Sequence, residues 1–248
     1  MNRTRRNVIG IGNLLGALGV ATAAGCIGVS APPPKHGGAL IKKCADAPFP
    51  ATTGMIDDFE DENTAVMNHY GRSGYWFRSA DPGGSFFGPD DIGPIQGGPE
   101  GRPGSFIIHA IGQTATGDPE TVWGAQLGAT LNSEGGTYDG SQYVGISFWA
   151  KSAPGKSSSV RFEVADANTH PDGGICTECW NHFGTTISLT TEWKQYVIPF
   201  RLLSQEDGWG DPRPPNLDPS KLVAVNWKIK PGNTFEFWLD DVQFLDCE

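Results

Sequence analysis

The chain has 248 residues, with 34 Gly, 19 Pro, 8 Trp and a formal net charge of −10. Nucleic acid is excluded as a natural partner, because neutralising phosphates requires a basic surface. The acidic balance suits an exported protein handling neutral ligands, and the length allows one domain of ordinary size plus extra segments.

Residues 1–25 read as an export signal rather than as part of the fold. Arg3, Arg5 and Arg6 form a positive head, and residues 8–25 are apolar, Gly-rich and uncharged. That stretch is too short and weak for a convincing membrane span. Thr4-Arg5-Arg6-Asn7-Val8-Ile9 resembles a twin-arginine signal, and Ala23-Ala24-Gly25-Cys26 resembles a lipobox with Ala23 where Leu is usual. The expectation is a lipoprotein anchored at the cell surface or in the periplasm, touching membrane only through a lipid on Cys26. A plain secretory signal cut near Ala23 or Ala24 is the alternative. Lipidation of Cys26 would leave Cys44, Cys176, Cys179 and Cys247 to pair in an oxidising compartment. Three connectivities are then possible. The local pair Cys176–Cys179 and the end-joining pair Cys44–Cys247 are expected, because the ends of a compact domain often lie close.

Residues 26–54 read as a tether, since Ala31-Pro32-Pro33-Pro34-Lys35-His36-Gly37-Gly38 suits neither a helix nor a ladder strand. From Met55 the pattern changes to short strands broken by Gly, Pro, Asn and Asp. They are expected at Met55–Glu60, Tyr75–Ser79, Ser105–Ile111, Val122–Leu127, Tyr143–Lys151, Val160–Ala165, Thr185–Leu189, Gln195–Phe200, Val223–Ile229 and Phe235–Phe244. The sixth alternates Val160, Phe162 and Val164 with Arg161, Glu163 and Ala165. A short helix is possible around Asp218–Leu222, with Pro219 in its first turn. This order predicts an all-β domain over residues 55–248, an antiparallel β-sandwich or jelly roll.

Several segments resemble carbohydrate-binding module family 11. They are Met55-Ile56-Asp57-Asp58-Phe59-Glu60, Ile146-Ser147-Phe148-Trp149-Ala150-Lys151-Ser152, Arg161-Phe162-Glu163-Val164-Ala165, Glu192-Trp193-Lys194 with Ile198-Pro199-Phe200, and Phe237-Trp238-Leu239-Asp240-Asp241-Val242. The resemblance implies a jelly roll that binds a β-glucan. It places Trp209 where that family has a ligand-contacting Tyr, with Gln205 and Glu206 near its Arg and Asp. It also implies a structural calcium held by Glu60 and Asp240, whose carboxylates supply the hard oxygens calcium requires.

A polysaccharide binder needs uncovered aromatic rings for the apolar faces of sugars and polar groups for their hydroxyls. Trp209, between Gly208 and Gly210, is the leading candidate. Tyr75 or Trp76 with Arg78, Trp123 with Gln126, Trp180 with His182, and Trp227 are further candidates for the same face. Trp149, Trp193 and Trp238 are expected in the core. The segment from His170 to His182 holds Cys176-Thr177-Glu178-Cys179. Those residues could bind zinc or act in redox exchange, but in an exported protein a disulfide stapling the loop is expected. The catalytic alternative, a glycoside hydrolase or lyase, lacks a motif that pairs two carboxylates. A surface lipoprotein binding a protein partner is the third reading. The expectation is a monomeric, non-catalytic polysaccharide binder with no catalytic cofactor.

Overall fold

A computed structural model describes residues 54–99, 105–118, 121–133 and 135–246. The export signal, the tether up to residue 53, and Cys26, Cys44 and Cys247 lie outside the described residues. The strands in chain order are β1 (Met55–Asp57), β2 (Trp76–Ala80), β3 (Phe86–Gly88), β4 (Ile95–Gln96), β5 (Phe106–Gln113), β6 (Ala125–Thr130), β7 (Gly145–Ser152), β8 (Ser159–Asp166), β9 (Phe183–Ser188), β10 (Lys194–Pro199), β11 (Leu222–Ile229) and β12 (Thr234–Leu245). One antiparallel sheet runs β10-β7-β12-β5-β3, with β1 added on β12 and β4 on β5; the other runs β2-β6-β11-β8-β9. The predicted β-sandwich is therefore what forms. Strands β3 and β4 were not anticipated, because three and two residues are too short to show a period of two.

Cross-strand partners share a face of a sheet, so register decides which side chains enter the core. In the five-stranded sheet one inward row is Trp76–Ala129–Val225–Val164–Phe183, and the next is Arg78–Leu127–Trp227–Phe162–Thr185. Trp227 is 0% exposed and Trp76 is 3% exposed. Their indoles stack at 5.7 Å, and Phe148 and Phe162 close on Trp227 at 5.1 and 5.3 Å. The expectation that Trp76 and Trp227 stack sugars is thus overturned: their parity along the strand turns both rings inward. Arg78 is also corrected, since it leaves the inner row at the sheet edge, where its guanidinium donates to the carbonyl of Phe87 and pairs with Asp90 at 3.2 Å. The opposite correction applies to Trp149, Trp193 and Trp238. All three are only half-buried. Lys151 lies 5.1 Å from the ring of Trp193 and 4.9 Å from that of Trp238, and His109 stacks on Trp238 at 5.0 Å.

The first strand stops at Asp57, not Glu60. Asp57 is fully buried, and its carboxylate accepts the Trp76 indole N–H at 2.7 Å and the Phe59 N–H at 2.8 Å. The second bond turns the chain, leaving Phe59 at φ 60°. Burial pushes the Asp57 carboxyl up to about 7, against those two hydrogen bonds. The short helix appears as one 3-10 turn, Pro219–Lys221, capped by the Asp218 side chain accepting from Ser220 N–H.

Candidate functional site

The same registers build the outward face of the five-stranded sheet. One row reads Ser79–Gln126–Lys228–Arg161–Thr186 and the next reads Phe77–Gly128–Asn226–Glu163–Gly184. This face is polar across its middle and aromatic at the β2 edge, where Tyr75 is 49% exposed and Phe77 is half-buried.

Gly128 determines how Phe77 lies. A Cβ there would meet Cζ and Cε1 of Phe77 at 2.6 and 2.9 Å and Oδ1 of Asn226 at 2.3 Å. The missing side chain leaves the room into which the end of the phenyl ring and the Asn226 amide both reach. The Oδ1 of Asn226 is buried without a hydrogen-bond partner among the described residues. Trp123 is placed by a second close approach: Gly124 has φ 107°, and a Cβ on it would sit 2.0 Å from the carbonyl oxygen of Ile229. The Asp81 carboxylate accepts the Gly124 N–H at 2.7 Å, and Trp123 meets the ammonium of Lys228 at 5.8 Å.

Charges organise the middle of the face. Arg161 donates from Nε to Glu163 at 2.8 Å and from Nη2 to the carbonyls of Ser204 at 2.8 Å and His182 at 3.4 Å. Burial pushes the Glu163 carboxyl up, opposed by the charges of Lys228 and Arg161. Glu206 accepts from Lys230 at 2.9 Å and approaches Arg161 at 3.9 Å. Partial burial pushes the Glu206 carboxyl up, but the Lys230 hydrogen bond and the charges of Arg161, Lys230 and Lys228 outweigh it and hold it below the usual value.

A rim rises beside β9. Cys176 and Cys179 form the expected disulfide, with an S–S distance of 2.01 Å. Their sulfurs therefore cannot serve as zinc ligands. The stapled loop grips a second loop. Thr177 and Glu178 N–H groups donate to Asp211 O, and Glu178 Oε2 accepts from Gly210 N–H at 2.9 Å. Asn181 Nδ2 donates to the carbonyls of Glu206 and Trp209 at 2.9 and 2.6 Å. Trp209 is half-buried within this rim. Gln205 donates to Asn181 O at 2.9 Å and lines a recess of about 260 Å³ with Phe183, Ser204 and Pro214. Trp180 is 52% exposed, with His170 edge-on to it at 5.0 Å. His182 is corrected as a ligand contact: it is 3% exposed and bonded through Nδ1 to Thr169 at 3.0 Å. Burial, with the charges of His170, Lys228 and Arg161, lowers it to about 3.

Of the sequence candidates, the structure gathers Trp123, Gln126, Gln205, Glu206 and Trp209 around this face. Phe77, Asn226 and Lys228 were missed. Alternation already set Arg161 and Glu163 opposite Val160, Phe162 and Val164, but no local signal showed that Phe77, not Trp76, faces outward.

The carboxylates proposed for calcium lie at the other sheet, where β1 and β12 pair through Met55↔Gln243 and Asp57↔Val242. Asp240 is fully buried and accepts the Asp241 N–H at 2.8 Å. Glu60 is exposed and accepts the Phe106 N–H at 3.2 Å. The donors are of the hard type calcium takes. No cluster of three or more His, Cys, Asp or Glu is found among the described residues, so backbone carbonyls would have to complete the shell.

Comparison with known proteins adds family and fold. The family described as Carbohydrate binding domain 30 matches residues 109–246. A family 11 carbohydrate-binding module of a cellulosomal cellulase of Clostridium thermocellum superposes with a TM-score of 0.50 at 18% identity, over 77% of this chain and 92% of that one. A family 11 module from the same organism, in complex with a β-1,3-1,4-mixed-linked tetrasaccharide, gives 0.51 at 17% identity, over 77% of this chain and 94% of that one. At such identities the likeness is one of fold. No curated protein matches the chain.

Proposed function

The chain belongs to the carbohydrate binding domain 30 family, and from that premise we propose that the outward face of its five-stranded sheet holds a β-linked glucan. Its activity is non-catalytic carbohydrate binding. The observation that carries the location is Phe77, a half-buried ring that reaches over Gly128 towards the polar Asn226 of the same row. A flat ring offers its apolar face to the C–H face of a pyranose, while Gln126, Lys228 and the Trp209 rim meet the hydroxyl edges. The mixed-linked tetrasaccharide bound by the family 11 module of like fold supports β-glucan as the class.

Affinity electrophoresis against a panel of polysaccharides, run beside a reducing-sugar assay, tests this reading. Retardation by β-glucans without release of reducing ends is expected. Migration unchanged by every polysaccharide would overturn it. Two further parts of the proposal concern the chain around the site. Export with lipid on Cys26 would display the face outside the cytoplasm, and Cys26→Ala should abolish labelling with radioactive palmitate. Calcium at Glu60 and Asp240 would tie the turn after β1 to β12, and chelation should then lower the melting temperature.

A further inference from the structure

The glycan-binding face carries a charge arrangement that bears on which glycan it takes, an inference that rests on the reading above. Arg161, Lys228 and Lys230 share the face with Glu163 and Glu206, a local surplus of positive charge on a chain whose net charge is −10. Two of the cations are matched by the protein. Arg161 is bound by Glu163 and by the carbonyls of Ser204 and His182, and Lys230 by Glu206 at 2.9 Å. Lys228 has no carboxylate at salt-bridge distance among the described residues. Its ammonium lies 5.8 Å from the Trp123 ring and acts on the Glu163 and Glu206 carboxylates only from beyond salt-bridge distance.

A second observation points to the same place. Two residues back along β11, Asn226 carries the Oδ1 without a hydrogen-bond partner among the described residues, beside Gly128 and close to the end of the Phe77 ring. Two residues of strand span about 7 Å, roughly the reach of one sugar residue. A pyranose stacked on Phe77 therefore brings its ring substituents towards Lys228. A hydroxyl there would form an ordinary hydrogen bond. A carboxylate would form a charge-assisted one, about twice as strong. The remote acidic surface does not cancel this preference, because charges beyond about 8 Å are largely screened at physiological salt.

We infer that the face selects β-linked glycans carrying a carboxylate on the pyranose ring, a uronic acid, with Lys228 as the partner of that carboxylate.

The test compares two probes of equal length and linkage, a cello-oligosaccharide and its C6-oxidised glucuronic acid counterpart, by isothermal titration calorimetry. At low salt the oxidised probe should bind about tenfold tighter, and high salt should shrink the difference. Lys228→Met should bring the two affinities together, whereas Lys228→Arg should keep them apart. Equal or tighter binding of the neutral probe by the unaltered protein overturns the inference and leaves β-glucan binding standing. Retention of the preference in Lys228→Met overturns the role of Lys228. Binding of neither probe overturns the inference together with the reading it rests on.

Discussion

Replacing Phe77 with alanine should weaken glycan binding about tenfold while leaving the fold intact. The Cζ and Cε1 of the Phe77 ring lie 2.6 and 2.9 Å from where a Cβ on Gly128 would be, and the residue is only half-buried, which leaves part of the ring for ligand. One face is roughly 60 Å², about a third of the 150–250 Å² that an aromatic side chain can bury. At about 25 cal/mol per Å² its removal from water contributes about 1.5 kcal/mol, which is about a factor of ten in Kd. Isothermal titration with a β-glucan oligosaccharide measures this, and a thermal melt confirms folding. Gly128→Ala supplies an independent check, because it keeps the phenyl ring but lifts it off the strand and should also lose affinity. Trp238→Ala is the control: that ring is half-buried and stacks on His109 on the other sheet, and its loss should not matter. If Phe77→Ala binds within twofold of the parent while Trp238→Ala is impaired, the ligand lies on the other sheet.

Trp227→Ala should cost about 3–5 kcal/mol of stability, since the indole fills the space between the sheets; a melting temperature close to the parent's would contradict the packing. Cutting the Cys176–Cys179 staple, by Cys176→Ser with Cys179→Ser, should weaken binding about fivefold, as about 1 kcal/mol of rim ordering is transferred to the binding step. Affinity unchanged by the double substitution would show that the rim holds without it. Asp57 and His182 should give stability opposite slopes with pH. Asp57 is raised from 3.8 to about 7, so its contribution is fully present below about pH 4 and lost as the pH rises to 7. That is a swing on the order of 4 kcal/mol. His182 is lowered from 6.5 to about 3, so its contribution is present above pH 6.5 and lost as the pH falls towards 3. Thermal melts across pH 4–6.5 should therefore show acid weakening Asp57→Asn and strengthening His182→Gln, each relative to the parent; two variants with the parent's slope would refute the assignment.

The amino-acid sequence by itself determined the strands other than β3 and β4, and alternation such as Val160, Phe162 and Val164 against Arg161 and Glu163 separated the core face of β8 from its open face. It also marked Cys176–Cys179 as a staple and a short helix around Asp218–Leu222, which forms as one 3-10 turn, because these features are local. Which residues meet across the sheet was decided only by tertiary structure. The strand order β2-β6-β11-β8-β9 brings distant segments side by side, so Phe77, Gly128, Asn226 and Glu163 form one row although their spacing in the chain carries no signal. Trp76 and Phe77 are adjacent and both aromatic, and a one-residue change of register would exchange their faces. Only the fit of Trp76 against Asp57 and Trp227 inside, and of Phe77 onto a glycine outside, chooses between them.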